Sequence, residues 1–293
     1  MKVSIERLHG PASLQDGGRV GQQHEGLPRG GFADYYSGSL ANRLVHHRDE
    51  HPLLECTLGL PRLHVNEDCT IAITGAVPDR FEVRSPTGAT RSLPTWARTQ
   101  LRRGETLLGG PCRGGMLAYV AIAGEWKVDR YRWRGSVSPV LYAHQDAQRG
   151  RLGKGSVVEV IARCLGGRAY AHPRIPSAPV LLSFQAGPEY GLLARSYAAQ
   201  QAFATGRWQV EAASNRQGVR LRWPGETYLS MGDNEISNPV APGTIQLLPD
   251  GSLIVAHVDA GTLGGYPRVG FVGREDLDLL AQLRPGQWVG FQA

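Results

Sequence analysis

Short apolar stretches rich in β-branched residues recur along this chain, most of them shut off by glycine. Residues 69–76 (CTIAITGA), 116–124 (MLAYVAIAG), 156–162 (SVVEVIA) and 180–187 (VLLSFQAG) are the plainest cases. Segments of that length and composition read as strands. The 38 glycines and 19 prolines follow no fixed period, so they mark turns rather than a collagen-like helix. No strand–helix repeat of steady length appears, and the expectation is an all-β chain, mainly strand with a few short helices.

Individual elements sharpen this reading. The run TIQLLPDGSLIVAHVD is a hairpin whose turn is Pro249-Asp250-Gly251. Asp34 is placed to cap a helix over about 35–47, with Tyr36, Leu40 and Leu44 on one side. Further helices are expected near 189–203 and 275–283; the latter has Leu277, Leu280 and Leu283 on one face and is stopped by Arg284-Pro285-Gly286. Glycines at 17, 18, 21, 26, 30 and 31 mark a loop that must turn repeatedly or approach another surface. Residues 78–113 are polar and fit edge strands and loops. Three prolines in AHPRIPSAP (171–179) form the linker candidate, which divides the chain into 1–175 and 176–293.

Composition narrows the function classes. Cysteines 56, 69, 112 and 164 form no CxxC, the first residues look like a strand rather than a leader, and no run approaches the ~20 apolar residues of a membrane span. Reduced, structural thiols in the cytoplasm are expected. The formal charge of +6 rests almost wholly on arginine, with lysine only at 2, 127 and 154. Its densest cluster, Arg130, Arg132 and Arg134, alternates with Tyr131 and Trp133 as a strand with one solvated face would. A nucleic-acid binder gathers its charge on one stripe, so neither nucleic acid nor membrane is expected as a partner.

The common catalytic signatures GxxxxGK[ST], HExxH and GxSxG are absent, as is a biotin-attachment hairpin. A helix would put His47 and His51 on one face, but no third ligand is evident; His46-His47 and His51 read as surface histidines at a helix end, so no metal is expected. Asp16 with Arg19, and Asp233 with Glu235, are either loop ion pairs or parts of a site. Gly264-Gly265-Tyr266-Pro267 could hold an anion on successive amides or simply turn the chain.

Taken in order, several segments resemble one family. They are Gln15 to Gly21, Gly26-Leu27-Pro28, Asp34, Ala41 to Val45 and Leu54-Glu55; then Gly114 to Gly124, Phe184 to Pro188, Asn215 to Leu221, Gly243 to Leu247 and Asp259 to Pro267. The last is similar to a DxQTTGGYP element. The pattern resembles the biotin-dependent carboxyltransferase-like family that includes the 5-oxoprolinase C subunit, KipA and allophanate hydrolase subunit 2. Departures fall at His46-His47 for GN, Gly124-Glu125 for GG, Arg134 to Pro139 for LGSRST, Gln145 to Leu152 for LGG-GR-L, Asn215 for an acid, and Leu263 for a threonine.

The resemblance implies two β-barrel-like domains, 1–175 and a C-terminal 176–293, at least one of them, the C-terminal, of cyclophilin-like fold. It also implies a KipI-like partner, the B-type component of such complexes, with an A-type component as a possible third. It implies ATP-dependent opening of a lactam to glutamate or a related amide or carboxyl transfer, with ATP used by the complex and no cofactor bound by this chain. The alternative it leaves is a non-catalytic KipA-like protein that binds a KipI-like regulator. Candidate catalytic residues at matching positions are Asp259 (base, or orienting one), Tyr266 (oxyanion donor), Asp34 and Asp16. Candidate substrate-binding residues are Arg19, Asn42, Arg216, Gln246, Gly264 and Gly265, the two arginines suiting a carboxylate or phosphate.

Overall fold

The structure, a computed structural model, describes residues 1–77, 81–128, 134–140, 151–174, 176, 179–195, 203–223 and 237–292. Arg130, Tyr131, Arg132, Trp133, Asp233, Glu235, most of Gln145 to Leu152, part of the proline-rich linker and the 196–202 stretch of the expected helix therefore lie outside the described residues. The chain divides into two compact units, residues 1–19 with 30–175, and residues 20–29 with 176–293.

The first unit is built on two antiparallel sheets. The seven-stranded one runs Gly124–Trp126, Val157–Ala162, Lys2–Arg7, Arg62–Val65, Thr106–Leu107, Glu82–Arg84, Thr90–Ser92. The six-stranded one runs Arg151–Leu152, Ala12–Gln15, Leu53–Thr57, Leu117–Ile122, Cys69–Gly75, Ala97–Leu101. Val3, Ile5, Leu63, Val65 and Val158 of the first sheet share one apolar core with Leu54, Cys56, Ile71, Ile73 and Val120 of the second. Lys2–Arg7 alternates because one face meets that core. Leu117–Ile122 is buried at every position because its second face carries a helix, Tyr35–Leu44.

That helix begins where the sequence places it. Asp34 is its N-cap, accepting from Ser37 N at 2.9 Å and Ser37 Oγ at 2.6 Å. It ends at Leu44, earlier than expected, because the Asn42 amide donates to Asp49 O (3.0 Å) and His51 O (2.7 Å) and draws the chain back. Beneath the cap, Tyr119 Oη accepts from Asp34 N (2.8 Å) and donates to Glu55 Oε2 (3.0 Å), which also accepts from Ala33 N (2.9 Å).

The second unit holds a closed barrel of Val180–Ala186, Arg268–Val272, Thr244–Leu247, Leu253–Ala256, Gly218–Arg222, Trp208–Val210 and Trp288–Gln292. The first and last of these strands pair in parallel, Val180 opposite Val289 and Leu182 opposite Phe291. Val180 and Leu182 point inward while Leu181 and Ser183 are exposed, the alternation a barrel wall requires. The expected hairpin is present, with Leu247 opposite Leu253 and Gly251 in the left-handed region at φ 79°. The helix Arg274–Ala281 adds Leu277 and Leu280 to the barrel core, and Leu283 follows. Tyr190–Arg195, inside the expected 189–203 helix, is a 3-10 helix.

The expectation of two β-barrel-like, cyclophilin-like domains is corrected by this topology. Only the second unit closes. Both sheets of the first unit are open, and no cyclophilin-like fold is indicated among the described residues. One edge of the seven-stranded sheet shows why. Thr90–Ser92, the last strand of its sheet, is short and exposed at every position, and Arg91 is spent on Glu105, so it offers no apolar face on which to continue the sheet.

Cys56, Cys69 and Cys112 are buried and Cys164 is exposed. Burial pushes the Cys69 thiol up to about 12 and raises Cys56 as well. A thiol reagent will therefore label only Cys164 in the native protein and all four cysteines after unfolding; rapid native labelling of a second one would contradict this packing. Tyr119→Phe, which leaves the Glu55 and Asp34 groups short of a partner, will cost about 1.5–3 kcal/mol in denaturant unfolding. An unchanged midpoint would show that the network contributes nothing to stability.

Candidate functional site

In the first unit the site candidates are tied into the chain's own backbone. Asp16 accepts from Gly18 N (2.9 Å), Ser136 Oγ (2.6 Å) and Val137 N (2.9 Å). Arg19, 2% exposed, donates from Nη1 to Ser138 O at 2.7 Å. Ser138 Oγ accepts from Gly31 N at 2.9 Å, and a Cβ on Gly31 would sit 2.7 Å from Gly18 N. The glycine-rich loop is thus a close backbone crossing, clamped by one acid and two serines. Asp34 and Asn42 occupy the two ends of the helix, as cap and as tether.

In the second unit a different picture emerges. Arg216 Nε and Nη2 donate to the two oxygens of Asp259 at 2.7 and 3.1 Å, a fork-on-fork pair. The Arg216 side chain keeps 21% of its surface exposed against 4% for Asp259, so the guanidinium is the accessible member. Backbone links reinforce it, since Asp259 N donates to Arg216 O at 2.9 Å and His257 N to Gln217 O at 3.0 Å. Asn215 accepts through Oδ1 from Gln217 N at 2.7 Å and shapes the same turn.

Gln246, Gly264, Gly265 and Tyr266 form a second group in this unit. Leu263–Gly264 pairs with Asn238–Pro239 as a short ribbon. A Cβ on Gly264 would lie 2.6 Å from Gln246 Nε2, so the carboxamide packs directly against this glycine. Gln246 Nε2 donates to Tyr266 O at 3.4 Å, and the Tyr266 side chain is exposed. Neither Gly264 nor Gly265 is in the left-handed region, so this stretch forms a strand and bend rather than an anion-holding concavity of amides.

Sequence reasoning misses several polar residues. Glu55 matches the family pattern but gives no sign of being the acceptor under the helix, and Ser136 and Ser138 sit in a segment that departs from the family motif. The Glu189 carboxylate accepts from Arg268 Nη2 (2.9 Å), Nε (3.1 Å) and backbone N (2.8 Å). Partners so far apart in sequence leave no local signal.

The histidines depart from the expected solvated helix end. His47 stacks on His51 at 3.8 Å, and its Nε2 accepts from Gly124 N at 3.1 Å. Burial, with His51 next, lowers it to about 4. His257 is buried between Leu277 O and the Arg216–Asp259 pair, and burial, with Arg216 next, lowers it to about 4 too. No cluster of three metal-ligating side chains occurs among the described residues, and none of their helices is long and apolar enough to cross a membrane.

Residues 25–293 match the model of the carboxyltransferase domain, subdomain A and B. The chain belongs to this family. It is 32% identical over 289 residues to the 5-oxoprolinase C subunit of Escherichia coli (strain K12), covering 95% of this chain and 87% of that one. It is 28% identical to the urea amidolyase of Lachancea kluyveri over 94% of its own length, but spans only 16% of that protein. The crystal structure of TTHA0988 superposes with a TM-score of 0.84 at 30% identity, over all of this chain and 56% of the other. For this carboxyltransferase-family chain, the divergent positions can be read physically. His46 holds a left-handed backbone, φ 58°, that residues with a side chain rarely adopt.

The two lowered histidines set a pH dependence. Their folded values of about 4 lie below the unfolded 6.5, so below pH 6.5 the unfolded chain takes up protons that the native chain refuses. The stability they contribute is full above pH 6.5 and is lost as pH falls toward 4. For fully buried His257 the loss reaches on the order of 3 kcal/mol. Urea unfolding between pH 7.5 and 5 will show the decline, and His47→Gln will flatten it in part. A flat profile would contradict the lowered values of both rings.

Proposed function

We propose that this chain is the C-type component of an ATP-dependent 5-oxoprolinase, which opens a lactam to glutamate, or of a related amide or carboxyl-transfer enzyme. In this reading it works with a KipI-like, B-type partner and an A-type component, and ATP is consumed by the complex. The observation that carries the proposal is the Arg216–Asp259 fork, whose guanidinium stays accessible while its carboxylate is buried. The similarity to the Escherichia coli 5-oxoprolinase C subunit, over 87% of that protein, supports it.

The chemistry assigns roles. A 5-oxoproline-like substrate carries a carboxylate beside an unreactive amide carbonyl. Arg216 binds the carboxylate, and Asp259, with both oxygens on the guanidinium, orients Arg216. Tyr266 is the candidate donor to the oxyanion formed when the amide carbon is attacked, with Gln246 fixing the backbone behind it. Asp16, Arg19, Asp34 and Asn42 belong to the framework of the first unit.

The test is glutamate release from 5-oxoproline by the chain co-expressed with its B-type and A-type partners, with and without ATP. Arg216→Ala will lower kcat/KM by ~10²-fold and Asp259→Asn by ~10-fold, with the complex intact. Turnover that survives Arg216→Ala, or that does not need this chain, overturns the proposal. A stable complex without turnover moves the chain to the KipA-like alternative, a binding protein for its partner.

A further inference from the structure

A cleft of ≈ 750 Å³ opens in the first unit, against the Ala97–Leu101 edge strand of the six-stranded sheet. That volume is typical of small-molecule sites. Four arginines line it, Arg91, Arg98, Arg102 and Arg168, against a single acid, Glu105.

Charge is not balanced within the cleft. Glu105 is committed to Arg91, which donates to it from Nη2 (2.9 Å) and Nε (3.3 Å) and to Gln100 O (2.6 Å). Arg98 meets an imidazole instead of a carboxylate, the His46 ring at 3.0 Å, and its buried Nε has no hydrogen-bond partner among the described residues. No acidic side chain pairs with Arg168 among the described residues. The backbone holds these arginines around one concavity, because Arg98 N donates to Ala169 O (3.0 Å) and Gln100 Nε2 to Leu165 O (3.1 Å), fastening the 165–170 segment along the strand.

We infer that this cleft binds a small phosphate-bearing anion. Guanidinium groups on several sides suit a tetrahedral phosphate, which accepts hydrogen bonds from many directions, better than a planar carboxylate. The cavity's size argues for a small molecule rather than a protein segment. Exposed Tyr170 at the rim provides an aromatic face for whatever the phosphate is attached to.

The experiment is calorimetric titration of the full chain with pyrophosphate at physiological ionic strength, with citrate as the carboxylate counterpart. Saturable pyrophosphate binding is expected, tighter than citrate by about 10-fold or more. Arg98→Gln and Arg168→Gln will each weaken it at least about 10-fold without lowering the melting temperature of the free protein. Arg222→Gln, an exposed arginine of the barrel, will leave it unchanged. No saturable binding, citrate binding as tight as pyrophosphate, or equal weakening by Arg222→Gln would each overturn the assignment. If Arg98→Gln alone fails to fold, Arg168→Gln, at an exposed position, decides.

Discussion

One buried carboxylate, Glu55, holds the helix of the first unit to its sheet. It sits in the middle of the Leu53–Thr57 strand at 2% exposure and accepts from the Tyr119 hydroxyl and the Ala33 amide. Tyr119 in turn receives the Asp34 amide, so the strand, its neighbour and the start of the helix are joined at one point. A buried carboxyl group is costly unless its oxygens find donors, and that cost fixes where the helix can begin. The glycine-rich loop before it follows from the same logic. Its route is set by Asp16, Ser136 and Ser138, and glycine is needed where the backbones cross.

Local rules make much of this legible. The hairpin across Pro249-Asp250-Gly251, the cap at Asp34 and the continuous apolar run at 116–124 each carry their information within a few residues. Closure of a sheet does not. Whether the last strand meets the first depends on edges that are distant in sequence, which is why the family pattern suggests two barrels where one forms. The helix stop at Leu44 is hidden for a related reason. Asn42 looks like a substrate contact, yet its amide is spent on carbonyls seven and nine residues on.

The candidate site is legible as positions and poorly legible as roles. Resemblance picks out Asp16, Asp34, Arg216 and Asp259 alike, because architecture and chemistry leave the same mark on a motif. Geometry separates them. The first two spend their oxygens on backbone amides and hydroxyls, whereas Asp259 faces a guanidinium that solvent can reach. Ser136 and Ser138 hold Asp16 and Arg19 across a long stretch of sequence, and His46 carries a side chain on a left-handed backbone.

The parallel pairing of Val180–Ala186 with Trp288–Gln292 has a consequence for synthesis. The opening stave of the barrel leaves the ribosome about a hundred residues before the stave that completes it, and the cost of closing so long a loop falls on the last step. Until residue 292 has cleared the exit tunnel, the Val180–Ala186 edge has no partner on that side and Leu182 no lid. The first unit draws on no residue beyond 175, so it can assemble while translation continues. The nascent chain therefore carries a finished domain ahead of an unclosed one, and the interval between them is when an exposed strand edge is most open to chaperones or to mispairing.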